Sequence, residues 1–161
     1  MSVSAKAGSS GQTRGPMDVT AQLDAPCPPD RLRAWVDDLA RYPEWLSIVP
    51  RADAESPADA TSPAWAVELR ATLGPLARSK RLRMIRTLDD ADHIRFERRE
   101  VDGRNHSAWV LDARVEPITD GARLVMTLHY GGSFGGNLLE RLLSDEIEAS
   151  KPRLLALVSS D

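Results

Sequence analysis

The chain has 161 residues, 42% hydrophobic and 28% charged, with a formal net charge of -3; this fits one globular domain with a single core and does not advertise a nucleic-acid binder. Cys27 is the sole cysteine, which excludes an intrachain disulfide framework and a Cys-rich zinc or iron-sulfur site, and makes a reducing, cytoplasmic setting the simplest expectation. Of the 21 basic residues only Lys6, Lys80 and Lys151 are lysine, a skew that either genome composition or function can produce.

Residues 1–16 are rich in Ser, Gly and Ala and hold no apolar run, so they read as a disordered lead, native or added, and not as a signal peptide. Met17 is a candidate natural start. No later stretch approaches the roughly 18 consecutive apolar residues of a membrane span. From Met17 the chain alternates, with Val19, Ala21, Leu23 and Ala25 on one face, as a half-buried strand does. Pro26, Pro28 and Pro29 end that strand and set up a helix, with Asp30 in its first turn. Leu32, Trp35, Val36 and Leu39 then recur at i, i+3, i+4, i+7, which predicts a continuous helix up to Pro43. A weaker strand is expected at 47–54 and a polar loop at 55–63.

Five alternating segments follow, at about 64–73, 77–88, 93–101, 106–117 and 122–131. A two-residue turn at Asp102-Gly103 pairs Phe96 with Trp109, Ile94 with Leu111 and Arg98 with Ser107. A second at Asp120-Gly121 pairs Val115 with Met126, Ala113 with Leu128 and Leu111 with Tyr130. Both bring apolar sets into phase and predict an antiparallel meander whose inner face carries Ile94, Phe96, Trp109, Leu111, Ala113, Val115, Leu124, Met126, Leu128 and Tyr130. After the glycine-rich run 131–136 a helix is predicted from about Asn137 to Val158. Its inward stripe is Leu139, Leu142, Leu143, Glu146, Ile147, Ser150, Leu154 and Leu157 or Val158. Pro152 is expected to kink or split it near Ser150-Lys151.

The prolines before the first helix, Pro28 and Pro29, and the run Asp38-Leu39-Ala40-Arg41-Tyr42-Pro43-Glu44-Trp45 (D-x-x-x-Y-P-x-W) resemble the START-like, helix-grip superfamily (SRPBCC). That superfamily includes the polyketide cyclase/dehydrase and lipid-transport group. The element order matches over residues 17–158. The resemblance implies an α+β helix-grip fold: a curved antiparallel sheet of six or seven strands around a long C-terminal α-helix, with an apolar cavity between them. It implies a cavity lined by Trp65, Val67, Leu69, Leu82, Met84, Ile94, Phe96, Arg98, Trp109, Leu111, Ala113, Met126, Leu128, Tyr130, Leu139, Leu143, Glu146 and Ile147. Periodicity alone leaves open whether these side chains line a pocket or fill a solid core.

The polar candidates each carry two readings. Arg98 and Glu100 share the inner parity; either they reach the wet end of the sheet, or Arg98 fixes the polar end of a ligand. Tyr130 is the best inward hydrogen-bond donor, or a core tyrosine with its hydroxyl at the rim. Glu146 is a general acid or base of raised pKa, or a solvated residue at the edge of the stripe. His129 is predicted opposite Asp112 as a surface pair; His93 and His106 sit at turn edges, and no metal site is expected. Cys27 reads as inert packing. Arg78, Lys80, Arg81, Arg83 and Arg86 suggest phosphate or anionic-membrane contact, but Glu97 lies among the outward Arg81, Arg83, Arg95 and Arg99, so a solvated strand face explains them. The run 131–136 lacks the Gly-Lys-Ser/Thr ending of a phosphate loop.

Three functions follow from these readings. The first is binding or transport of a hydrophobic small molecule such as a lipid, quinone or polyketide. The second is an aromatase/cyclase working through Tyr130, Glu146 or Arg98. The third is an interaction module, such as a toxin-antitoxin component, contacting its partner through the outward arginines. No cofactor and no nucleic-acid partner are expected, and no catalytic residue is assigned.

Overall fold

The computed structural model describes residues 3–7, 16–56, 62–73, 75–133 and 136–160. Its elements are β1 (Val3–Ala7), β2 (Met17–Ala25), α1 (Pro29–Arg33), a 3-10 helix (Leu39–Glu44), β3 (Arg51–Glu55), β4 (Ala64–Leu73), β5 (Leu76–Asp89), β6 (His93–Arg98), β7 (Trp109–Ile118), β8 (Gly121–Tyr130) and α2 (Gly136–Ser159). The strands form one antiparallel sheet in the order β1-β2-β8-β7-β6-β5-β4-β3. The long helix α2 packs against β2 and β1. A register shift between Arg86 and Leu88 marks a bulge in β5, a device that bends a strand and sharpens sheet curvature.

Residues 3–7, expected within a disordered lead, instead pair with β2, Val3 against Ala21 through Ala7 against Met17. The pairing satisfies backbone groups that the edge of β2 would otherwise present unpaired. The predicted helix up to Pro43 is also corrected. It stops at Arg33, and after a turn the 3-10 helix begins at Leu39 with Pro43 inside it. In a continued helix the carbonyls of residues 34–37 would accept the N–H groups of 38–41. Here side chains take them: Arg41 donates to Ala34 O, the Trp45 indole to Trp35 O, the Tyr42 hydroxyl to Val36 O and Arg86 to Asp37 O. Asp38 restarts the chain as a cap, its carboxylate accepting from Ala40 N. The apolar spacing still does its work, since Leu32, Val36 and Leu39 are buried.

Both predicted hairpin registers are displaced by two residues. Phe96 faces Leu111 and Ile94 faces Ala113, so Phe96 does not oppose Trp109, and the ladder ends at Glu97 against Val110 before Arg98 and Ser107 can pair. Beyond Arg98 the chain stays with β5, where Arg99 N donates to Arg83 O. Asp102 accepts from Arg104 N and from His106, closing a local turn in which Gly103 has φ +74°. Likewise β7 and β8 turn at Thr119-Asp120, pairing Ile118 with Gly121, Val115 with Leu124, Ala113 with Met126, Leu111 with Leu128 and Trp109 with Tyr130. A shift of two preserves the face of every side chain, so the inner set stays inward. Gly121 keeps an ordinary φ; its glycine is needed because a Cβ there would fall 2.0 Å from Ala25 O on β2.

The helix does not split at Pro152: α2 runs from Gly136 to Ser159 without interruption. Its far end meets α1, where Arg31 donates to Val158 O. Around that end the core is solid. Ile94, Phe96, Ala113, Leu32, Val36 and Val158 are completely enclosed, and the Phe96 ring meets Tyr42 and Trp65 edge-on at 6.4 and 5.4 Å.

Candidate ligand cavity

Toward the other end the sheet and α2 do not close on each other. A cavity of about 400 Å³ remains, far above the ~10–15 Å³ that accommodates one water and within the range of small-molecule sites. Its sheet wall is Val67, Leu69, Leu82, Met84, Leu111, Met126 and Leu128, with Val19, Ala21 and Leu23 of β2. Leu139, Leu143, Ile147 and Leu154 of α2 form the opposite wall, and Leu39, Tyr42, Trp45, Leu46, Ile48 and Val49 close the side beneath the 3-10 helix. Arg78, Ser79 and Lys80 line it and are exposed, so they mark where it opens to solvent.

Trp109 and Tyr130 also line the cavity, their rings stacked at 4.6 Å and tilted by 38°. Both are buried, and the Trp109 indole N–H has no partner among the described residues. Tyr130 folds back over Gly132: a Cβ at that position would fall 2.1 Å from the phenol oxygen. Glycine is therefore required there for close approach.

Six of the expected lining residues lie elsewhere: Trp65, Ile94, Phe96, Arg98, Ala113 and Glu146 are absent from the cavity wall. Ile94, Phe96 and Ala113 are completely enclosed in packed core, Phe96 against Tyr42 and Trp65, and the Trp65 indole donates to Asp38 Oδ1. Glu146 turns out of the cavity and accepts from the Ser47 hydroxyl. Arg98, with a side chain only 7% exposed, is committed inside the protein. It donates to Glu100 at 2.8 Å, to Ser107 O and to His106 Nδ1. A guanidinium only donates, so His106 Nδ1 accepts and its N–H sits on Nε2, facing Asp102. Burial opposes ionisation of Glu100, but the Arg98 bond and the Arg83 N–H outweigh it and hold its pKa below the usual carboxylate value.

The outward cations are largely paired. Arg83 donates to Glu55, Arg95 to Asp112 and Arg99 to Glu97, while Arg81 is exposed. His129 does not meet Asp112; it bonds Asp18 across β2, and Asp112 instead holds His93 and Arg95. Cys27 is buried, and that burial raises its thiol pKa, as inert packing requires.

Several lining residues went unread in the sequence. Arg78 and Lys80 share the parity of Leu82 and Met84, which was signal enough to place them inward. Lys151 lines the cavity at 5% exposure. It extends the row Leu143, Ile147 at i+4 and precedes Leu154 and Val158 at i+3 and i+7, a better inward spacing than that of Glu146.

A sheet gripping a long helix over an internal cavity defines the START-like class, and solved structures agree. The chain superposes on TTHA0849 of Thermus thermophilus with TM-score 0.69 and 23% identity, covering 89% of this chain and 99% of that one. A STAR-related lipid transfer protein of Xanthomonas axonopodis gives 0.71 and 12%, covering 98% and 93%. The ZhuI aromatase/cyclase of Streptomyces sp. R1128 gives 0.65 and 14%, covering 89% and 93%. At these identities the likeness is one of fold. The chain belongs to the polyketide cyclase/dehydrase and lipid transport family, whose sequence profile matches residues 16–158. No curated protein matches it in sequence. Among the described residues no helix is long and apolar enough to cross a membrane.

Proposed function

We propose that the protein binds an apolar small molecule in the cavity between the sheet and α2 and serves as a binder or carrier, not a catalyst. The observation that carries this reading is the cavity itself, about 400 Å³ with a wall almost wholly of aliphatic and aromatic side chains. Burying a ligand's apolar surface there contributes about 25 cal/mol per Å². A cyclase needs a proton donor or acceptor beside the reacting carbons; among the described residues the wall contains no His, Asp or Glu, and of Tyr130, Glu146 and Arg98 only Tyr130 borders it. Family membership supports a hydrophobic ligand in the cavity, and the lipid-transfer relative of the same fold accords with carriage.

Native mass spectrometry of gently purified protein tests it, followed by titration of stripped protein with decanol, a short-chain quinone and anthracene. Trp45 and Trp109 line the cavity, so their fluorescence reports occupancy. A co-purifying apolar molecule, or saturable one-to-one binding of at least one probe, is expected. Ligand-free protein that binds none of the three overturns the reading.

A further inference from the structure

We propose that Lys151 selects ligands with an anionic head group, a carboxylate above all, and holds that head against the α2 wall of the cavity. This rests on the reading that the cavity takes an apolar ligand, and it adds the chemistry of the ligand's polar end. Lys151 is 5% exposed and lines the cavity. An ammonium carries three donors and no acceptor. Among the described residues its one hydrogen-bond partner is Glu148 Oε1 at 2.7 Å, a turn back on the same helix. That carboxylate is itself 48% exposed and shared with solvent. Two donors of this buried cation have no partner among the described residues.

Apart from the Trp109 indole N–H, which is a neutral donor without a partner among the described residues, three polar groups of the wall are engaged inside the protein. The Tyr42 hydroxyl donates to Val36 O, the Trp45 indole to Trp35 O and the Ser150 hydroxyl to Ile147 O. The wall offers no carboxylate among the described residues, while Arg78 and Lys80 add positive charge at the mouth. Partial burial, and then the nearby Arg98, lower the Lys80 pKa. A neutral hydroxyl or carbonyl would accept a hydrogen bond from Lys151 without offsetting its buried charge, whereas an anion offsets that charge through charge-assisted hydrogen bonds. Lys151 lies about 18 Å along α2 from Leu139, toward the end covered by α1, so a bound acid directs its head toward that end. The mouth cations then raise its local concentration.

The test compares decanoate with decanol by tryptophan fluorescence at neutral pH in the full chain. Wild type is expected to bind decanoate at least tenfold tighter than decanol, about 1.4 kcal/mol. Lys151→Met, which keeps the apolar stem, collapses that ratio toward one; Lys151→Arg restores most of it; Glu148→Gln, which removes the competing carboxylate, widens it. Wild type that binds decanol but shows no preference for decanoate overturns the inference and leaves the apolar-binding reading standing. A preference that survives Lys151→Met but disappears in Arg78→Gln/Lys80→Gln overturns it too, because the head would then rest at the mouth. Binding of neither probe overturns the inference, and the quinone and anthracene titrations then decide the reading beneath it.

Discussion

Truncating one inward aromatic in the solid end and one inward leucine in the cavity wall separates a packed core from a cavity. Phe96 and Leu128 share the inner face of the sheet, yet Phe96 is fully enclosed between Tyr42 and Trp65 while Leu128 is half-buried and borders the cavity. Phe96→Ala loses the transfer free energy of the ring and opens a new void among rigid neighbours, at a cost of about 3–5 kcal/mol. Leu128→Ala removes three carbons worth about 0.8 kcal/mol each when fully buried. Part of that surface already faces open space and no new void is enclosed, so the cost falls to about 1–2 kcal/mol. For a chain of this size each kcal/mol moves Tm by about 2–4 °C, which puts the variants about 10 °C and about 4 °C below wild type. Urea denaturation with ligand-stripped protein measures both. A Leu128→Ala loss equal to or larger than that of Phe96→Ala would mean that Leu128 is packed as tightly as the core and that no cavity borders it.

Further substitutions probe the supports of the site. Gly121→Ala drives a Cβ into Ala25 O and should destabilise by more than about 2 kcal/mol, as overpacking against backbone does; a neutral effect in urea melts would contradict that close approach. Gly132→Val forces the Tyr130 ring off Trp109 and should weaken decanol binding at least severalfold with an altered tryptophan emission; unchanged affinity would remove Tyr130 from the site. Asp38→Ala uncaps the 3-10 helix and orphans the Trp65 indole, costing about 1–3 kcal/mol, which chemical denaturation reads directly. The depressed pKa of Glu100 fixes the sign of a pH effect. Its stabilisation is present above the ordinary carboxylate value and is lost as pH falls through the lowered folded-state value. The stability deficit of Glu100→Gln relative to wild type should therefore shrink on acidification, and a deficit that grows would show that the pairing is misread.

Much of this architecture is legible in the alternation of the chain, for a physical reason. Strand side chains repeat every two residues, so the inner set Ile94, Phe96, Leu111, Met126 and Leu128 is unchanged by a two-residue displacement of both hairpins. Depth along a strand has no such periodic mark. Phe96 and Leu128 look alike in sequence, and only the placement of α1 and the 3-10 helix over one end makes one a core residue and the other a wall residue. Helix termination near Arg33 is hidden because its cause is tertiary: Arg86 and the side chains of Arg41, Tyr42 and Trp45 claim the carbonyls a helix would use. Glu146 is favoured over Lys151 only while a lysine is assigned to the surface by type. The spacing of Lys151 with Leu143, Ile147 and Leu154 points inward, and the structure buries it.

The most direct test of the central claim is a crystal structure of the protein grown with decanol or with its co-purifying ligand. An elongated ligand is expected between the sheet and α2, in contact with Leu111, Leu128 and Leu143. Side chains filling that space, or a ligand bound only on the outer face of the sheet, would contradict that claim.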